Sequence, residues 1–463
     1  MSNIPSQAHE IAKAVRNGTL KAADVFSSFA AEIEKRNPGL GAFTDLTLGR
    51  AEAAAACIDE KCARGEDPGP LAGVPYAVKN LFDVEGVVTR AGSKILRDNS
   101  PALRDAALIE RLDNAGAILM GALNMGEFAY DFTGENSHDG NCHNPRNPDH
   151  MSGGSSSGSG SAVAAGLVPI ALGSDTNGSI RVPSALCGTF GLKPTYGRLP
   201  RTRTYPFCDS LDHLGPLALS PVDLALSFDA MQGKDPEDPV CADKPVSNAL
   251  DGVEEGANGL RVALAGGYFA QGGQPEAHEA AETVARVLNA SSTVELPEAH
   301  IARSAAYIIT NAESSAFHMD HLRDRAPDFD ADTRYRFLSG ALLPASWYVK
   351  AQAFRRWYHD RVLELFQDVD VIIAPATPCA APKIGQKMMT LGDGSEVLVR
   401  PNLGIFTQPI SFIGLPVVVA PLQRDGELPL GVQIIAAPWR EDIALRVARE
   451  LERAGVATAS VAR

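Results

Sequence analysis

Residues 152–161 read SGGSSSGSGS, and the chain passes without interruption into AVAAGLVPIALGSDTNGSIRVPSALCGTFGLKPTYGR. A Gly/Ser decamer has the composition of a flexible linker. A linker joins two domains, whereas this segment runs straight into sequence apolar enough for a core. Glycines so placed allow close backbone packing and positive φ around a site. The decamer is therefore read as part of a folded centre.

The sequence around it fits that reading. Short apolar runs at 73–78, 118–120, 168–172, 260–265, 369–374, 417–420 and 430–435 alternate with helical patterns such as 106–115, 277–288 and 441–454. Alternation of this kind predicts an α/β protein whose strands are buried on both faces. Residues 1–65 read as a helical N-terminal region: one helix to Asn17-Gly18, a second from Thr19 to Asn37-Pro38, and a third in the alanine-rich stretch 50–63. The Pro-, Asp- and Glu-rich stretch 234–258 reads as a surface loop, because the α/β pattern continues on both sides of it. Residues 1–463 are thus expected to form a single domain.

Composition narrows the class of function. With 45% hydrophobic and 21% charged residues, the chain is globular rather than disordered. A net charge of −14 repels phosphate backbones, so no direct nucleic-acid partner is expected. The longest apolar run, 162–172, contains Pro169 and falls far short of the ~20 residues of a membrane span. No signal pattern opens the chain, and seven cysteines at unpaired spacings read as reduced thiols, so a cytoplasmic location is expected.

Two motif readings of the decamer fail. Gly153 and Gly158 have phosphate-loop spacing, but Ser159 stands where that loop needs lysine. Gly154, Ser156 and Gly158 match GxSxG, yet NPRNPDHMSG before them is loop-like, and that motif needs a strand there. The whole text from SGGSSSGSGSAVAAG through GSDTNGSIRVPSALCG to FGLKPTYGR resembles the amidase signature family. VPYAVKNLFDVEG, GALNMGEFAY, SLDHLGPLALSPVDLAL and FTQPISFIGLPVVVAP extend the likeness along nearly the whole chain.

That resemblance implies a large mixed β-sheet core flanked by helices on both faces, and hydrolysis of amide bonds by a Ser–Ser–Lys triad through an acyl-enzyme. The lysine falls on Lys79, the bridging serine on Ser155 behind a cis peptide bond, and the nucleophile on Ser179, 24 residues further on. Backbone N–H groups of Thr176, Asn177, Gly178 and Ser179 would form the oxyanion hole; loss of one such donor typically costs ~2.7–4 kcal/mol. The chain departs from the family pattern in GGSSSGS and in Thr176-Asn177-Gly178-Ser179, where glycines are usual. These variants are most similar to a branch that releases ammonia from small carboxylated biuret- or urea-like amides. The alternatives are the glutaminase subunit of a tRNA-dependent amidotransferase or another small-amide amidase; a catalytically dead scaffold is opposed by the presence of all three triad residues. Relatives also place an arginine near Arg334 and Arg336 that grips substrate carboxylate, and they work with a small helical companion subunit, here expected in a hetero-oligomer.

The chemistry explains the residue types. Serine attacks a carbonyl only if a base takes its proton. Lysine is such a base only when neutral, and at pH 7 an unperturbed amine is neutral in less than about one molecule in a thousand. Burial beside Val74, Ala77 and Val78 would lower its pKa, and the Ser155 hydroxyl, both donor and acceptor, can carry the proton from Ser179 to Lys79. No metal and no cofactor are needed. His318 and His321 read as an exposed pair, His138, Cys142 and His143 as structural, and Asp175, Asp212 and His213 as residues that fix backbone.

Overall fold

The computed structural model describes residues 4–462. Its centre is a mixed sheet of eleven strands: β1 (Phe43–Leu46), β2 (Pro75–Lys79), β3 (Ile118–Leu123), β4 (Ile170–Asp175), β5 (Phe190–Lys193), β6 (His213–Ala218), β7 (Val262–Ala265), β8 (Ser292–Val294), β9 (Val371–Pro375), β10 (Val417–Leu422) and β11 (Leu430–Ala436). They lie in the order β1-β3-β2-β4-β6-β5-β10-β11-β9-β7-β8. Every residue of β2, β3, β4, β6, β9, β10 and β11 is buried, so both faces are covered, because successive side chains point to opposite sides. The helix Glu441–Arg453 shows how: Ile443, Val447 and Leu451 fall on one face and are buried against the sheet.

Three sequence expectations need correction. The N-terminal region carries helices α1 (Ala8–Arg16), α2 (Ala22–Leu40) and α3 (Leu48–Ala63), but between the last two it also contributes β1, paired antiparallel to β3. Helix α2 does not stop at Asn37-Pro38. It carries Pro38 in its last turn and ends at Gly41, whose N–H donates to the Asn37 carbonyl (2.8 Å). The stretch 234–258 is not wholly irregular, since it holds a short helix, Ala249–Gly252. Strand β6, HLGPLA, is masked in the sequence by its Gly and Pro. Pro216 is tolerated because β5 pairs only with Leu217 and Ala218, leaving Pro216 without a neighbour on that side.

Strand register places the two halves of the site together. Tyr76, Ala77 and Val78 of β2 stand beside Ile170, Ala171 and Leu172 of β4. Lys79 and Ser174 therefore emerge at the same edge. The Gly/Ser decamer turns there into helix α4 (Ser157–Ala164), and the segment after β4 turns into α5 (Arg181–Cys187).

Helix α4 approaches other backbone very closely. A Cβ on Gly158 would lie 2.4 Å from the Ala42 carbonyl oxygen and 2.6 Å from the Asn124 nitrogen, neither of which can yield. In an ordinary helix interior Gly→Ala stabilises by ~1 kcal/mol. Here Gly158→Ala reverses that sign and destabilises by roughly 1–3 kcal/mol, the usual cost of overpacking. A thermal melt of the variant, several degrees below the parent, checks this.

Candidate active site

Lys79 ends β2 and is fully buried. Its Nζ lies 2.7 Å from Ser155 Oγ and 2.8 Å from Ser174 Oγ. Burial lowers its pKa to about 7, against the opposing pull of Asp212, Asp175 and Asp131. A neutral amine has two N–H donors and one lone pair. Donating to one hydroxyl and accepting from the other satisfies it, which an ammonium, being only a donor, cannot do. Ser174 is a residue that sequence reasoning missed: it lies in the quoted GSDTNGS text, but nothing marks it as a partner of Lys79 until β2 and β4 are known to pair.

Ser155 follows a cis peptide bond from Gly154, and its carbonyl accepts from the Gly126 N–H (3.1 Å). The next residue locks two segments together. Ser156 Oγ accepts from the Ser174 N–H and donates to the Ser174 carbonyl, while the Ser156 N–H donates to the Ser179 carbonyl (3.3 Å). Ser155 and Ser179, 24 residues apart in the chain, are thereby held on adjoining backbone.

The turn Thr176–Ser179 is fixed by three side chains from other segments. Thr176 Oγ1 donates to Asp212 Oδ1 (2.6 Å). Asn177 Nδ2 reaches Thr310 Oγ1 (2.9 Å) on helix α6 (Ala299–Phe317), and its carbonyl accepts from Thr407 Oγ1 (2.7 Å). Gly178 has φ +142, and a Cβ there would meet Thr407 Oγ1 at 2.2 Å, so this glycine is required twice over. Beyond the turn, the Asp175 carboxylate accepts two hydrogen bonds from the Arg181 guanidinium, both groups being fully buried. Burial would raise the Asp175 carboxyl, but the Arg181 charge and its hydrogen bonds outweigh that and hold it well below the ordinary range. Among the described residues the N–H groups of Thr176, Asn177, Gly178 and Ser179 donate to no protein acceptor. Unpaired backbone donors on consecutive residues of a turn suit a developing oxyanion.

Around Ser179 lies a chamber of about 10 Å³, the space of about one water, walled by Tyr130, Asp131, Thr176, Asn177, Arg336 and Gln408 among others. Arg336 also borders a vestibule of about 350 Å³ lined by Lys387 and Arg400. A further cavity of about 400 Å³ touches Ser174 and Asp212 but not Ser179, so its greater size does not make it the reaction chamber.

The two arginines on α7 (Ala331–Gly340) part company. Arg336 lies over the Tyr130 ring, 3.6 Å from its centroid, and donates to the Tyr130 carbonyl (2.9 Å). Among the described residues no carboxylate pairs with it. Arg334 does not border the chamber. It stacks on exposed Tyr335 and meets that hydroxyl at 3.2 Å. At 100° per residue, positions two apart on a helix face different ways. Glu127, another residue missed in the sequence, anchors α7: its buried carboxylate accepts from the Asp330 N–H (2.8 Å), Thr333 Oγ1 (2.6 Å) and Ser93 Oγ (2.8 Å) and meets His138 Nε2 at 2.9 Å.

His318 departs from its reading as one of an exposed pair. It is fully buried among the rings of Phe128, Phe329 and Phe337, and burial, with a smaller effect of His321, lowers its pKa to about 3. Asp212 and His213 do fix backbone: Asp212 Oδ2 accepts from the N–H groups of Phe207 and Cys208, and His213 Nδ1 meets the Leu211 carbonyl at 2.6 Å. Among the described residues no three His, Cys, Asp or Glu side chains converge as a metal set, and no helix is long and apolar enough to cross a membrane.

If Lys79 acts as the base, the rate depends on its uncharged fraction. With the amine titrating at about 7, kcat/KM rises about tenfold per pH unit below that value and levels above it. A pH–rate profile that stays flat from pH 5 to 8 excludes this role for Lys79.

The sequence matches the Amidase family over residues 24–445. A 1-carboxybiuret hydrolase subunit, AtzE, from Pseudomonas sp. (strain ADP) is 51% identical over 451 residues, 97% of this chain and 98% of that protein. A glutamyl-tRNA(Gln) amidotransferase subunit from Methylococcus capsulatus is 34% identical over 473 residues, covering 96% of each. A solved structure, described as a vestigial protein complex that reveals the evolutionary origins of an s-triazine catabolic enzyme, superposes with a TM-score of 0.96. It shares 50% identity over 98% of this chain and 100% of its own.

Proposed function

Because the chain belongs to the amidase family and hydrolyses amide C–N bonds, we propose that its substrate is a small carboxylated biuret-like amide, 1-carboxybiuret. The products are ammonia and urea-1,3-dicarboxylate. The substrate assignment rests on the 51% identity to the 1-carboxybiuret hydrolase subunit. The observation that carries the chemistry is the buried contact of Lys79 Nζ with Ser155 Oγ, next to backbone that holds Ser179.

As Ser179 Oγ bonds to the terminal amide carbon, its proton passes to Ser155 and that of Ser155 to Lys79. The negative charge on the former carbonyl oxygen meets the N–H groups of Asn177, Gly178 and Ser179. The C–N bond then breaks, the Lys79 proton returns through Ser155 to the leaving nitrogen, and ammonia departs. Water attacks the acyl-enzyme by the same relay, restoring Ser179 and freeing the acid. No metal or cofactor enters the scheme.

Arg336, and not Arg334, is the proposed partner of the substrate carboxylate. A guanidinium lacking a carboxylate of its own, on the wall shared by chamber and vestibule, presents a fork that suits a bidentate contact. We also propose that the enzyme is a single catalytic domain working in the cytoplasm with a small helical companion subunit. Support for the companion comes from the similar solved chain, which belongs to a protein complex.

An ammonia-release assay with 1-carboxybiuret, biuret, glutamine and simple amides tests the substrate. Preference for 1-carboxybiuret supports the proposal, and preference for glutamine favours the amidotransferase reading. With the preferred substrate, Ser179→Ala lowers kcat by roughly 10⁴-fold or more while the fold persists, as for other activated nucleophiles. Lys79→Ala does nearly the same, since Ser155 loses its proton sink; retention of most activity would refute the relay. Arg336→Ala raises KM for the carboxylated substrate by about 10- to 100-fold, the worth of a charged hydrogen bond.

A further inference from the structure

Two polar atoms at the chamber have no partner in the protein. Gln408 is fully buried and borders the chamber, and its Nε2 makes no hydrogen bond. Asn177 is only 6% exposed and borders the same space, and its Oδ1 is likewise unpaired. Leaving one such group buried and unsatisfied costs about 1–3 kcal/mol. At a chamber with room for about one water, two such groups are answered by a solvent molecule in the free enzyme and by a ligand group that displaces it.

The other end of each amide already has a partner. Gln408 Oε1 accepts from Arg303 Nε (2.8 Å), and that guanidinium is itself held by Asn402 Oδ1 (2.7 Å) and the Pro401 carbonyl. Arginine only donates, so the Gln408 amide cannot turn round, and Nε2 is its free end. Asn177 Nδ2 meets Thr310 Oγ1 (2.9 Å) and its Oδ1 is unpaired; the threonine hydroxyl, both donor and acceptor, serves either orientation of this amide. The chamber wall thus carries an unpaired donor and an unpaired carbonyl oxygen, besides the guanidinium of Arg336.

We infer that Gln408 and Asn177 form a recognition pair for the internal urea unit of the substrate: Gln408 Nε2 donates to its C=O and Asn177 Oδ1 accepts from its N–H. The inference rests on the biuret-like substrate proposed above and adds what reads the middle of that molecule. A biuret chain alternates carbonyl acceptors and N–H donors, the complement of this pair. A methylene chain of equal length supplies neither, and would leave both protein groups unpaired. Discrimination of this kind is large, because a site built to hydrogen-bond loses its partners when the analogue lacks them. The pair also gives Asn177 a purpose at a position where glycine is usual in the family: its side chain both braces the turn against α6 and faces the substrate.

The test compares 1-carboxybiuret with glutaramate, which carries a carboxylate and a terminal amide across the same number of chain atoms but has methylenes in place of the internal N–H and C=O. For each, affinity is taken as KM where it is cut and as Ki against 1-carboxybiuret hydrolysis where it is not. Gln408→Glu keeps an acceptor for Arg303 and removes the donor, and Gln408→Met removes both while keeping the shape. Asn177→Gly restores the residue usual in the family. Each Gln408 variant is expected to cut the preference for 1-carboxybiuret over glutaramate at least tenfold, and Asn177→Gly about fivefold. Equal loss for both compounds, or no change in the preference, overturns the pair. Should Gln408→Glu fail to fold, Gln408→Met and Asn177→Gly decide the matter by the same ratio. If the wild-type enzyme does not cut 1-carboxybiuret at all, the substrate reading falls and the pair falls with it. If it does and the ratios hold steady, only the pair falls.

Discussion

The desolvation of one amine underlies the arrangement. Lys79 sits at the end of a strand with no exposed residue, and its pKa falls from 10.5 to about 7. At neutral pH that raises the uncharged fraction from below one in a thousand to about half, roughly a thousandfold gain in neutral amine. The same displacement represents about 5 kcal/mol of unfavourable solvation for the charged form. Only a well-packed environment maintains such a penalty, because water or a nearby unpaired carboxylate would erase it. The eleven-stranded sheet, covered on both faces, supplies that environment.

Close backbone approach supplies the precision. Helix α4 lies against Asn124 through Gly158, Ser156 ties the decamer to β4, and Asp175 with Arg181 pins the residues after it. A buried ion pair is weak evidence of net stability, since desolvation offsets most of its attraction. Here its value is positional. Arg181 also donates to the Thr407 carbonyl (3.0 Å), Gln433 Oε1 (2.7 Å) and Ser411 Oγ, and so connects the turn bearing Ser179 to β11 and to the segment that carries Gln408.

How far the sequence reveals this depends on what kind of contact is at stake. The seven apolar runs correspond to sheet strands because burial on both faces leaves a continuous apolar signature. β1 and β6 leave no such trace, one being a short edge strand and the other broken by Gly and Pro. Lys79, Ser155 and Ser179 can be singled out because motif text surrounds each of them. Ser174, Glu127 and Gln408 lie inside quoted text of the same kind, but nothing in it singles them out, and their importance arises from pairing between segments far apart in the chain. The choice between Arg334 and Arg336 is of another kind, since helical geometry alone allows only one of two residues two apart to face the chamber. His318 misleads because a histidine in a polar-looking run resembles a surface residue, whereas the aromatic cluster that encloses it comes from three separate segments.

The carboxylates near Lys79 complete the physical account. Asp212, Asp175 and Asp131 all raise the pKa of its amine, and together, left free, they would oppose the effect of burial. Each is engaged elsewhere. Asp131 pairs with Arg400 (2.5 Å) and accepts from the N–H groups of Thr133 and Gly134, Asp175 is held by Arg181, and Asp212 accepts from Thr176 and two backbone N–H groups. Positive charge and N–H dipoles set against those carboxylates weaken their field at Nζ, so desolvation prevails. The acids that position the turn and the chamber wall are therefore tolerable beside a neutral lysine only because each already has a partner.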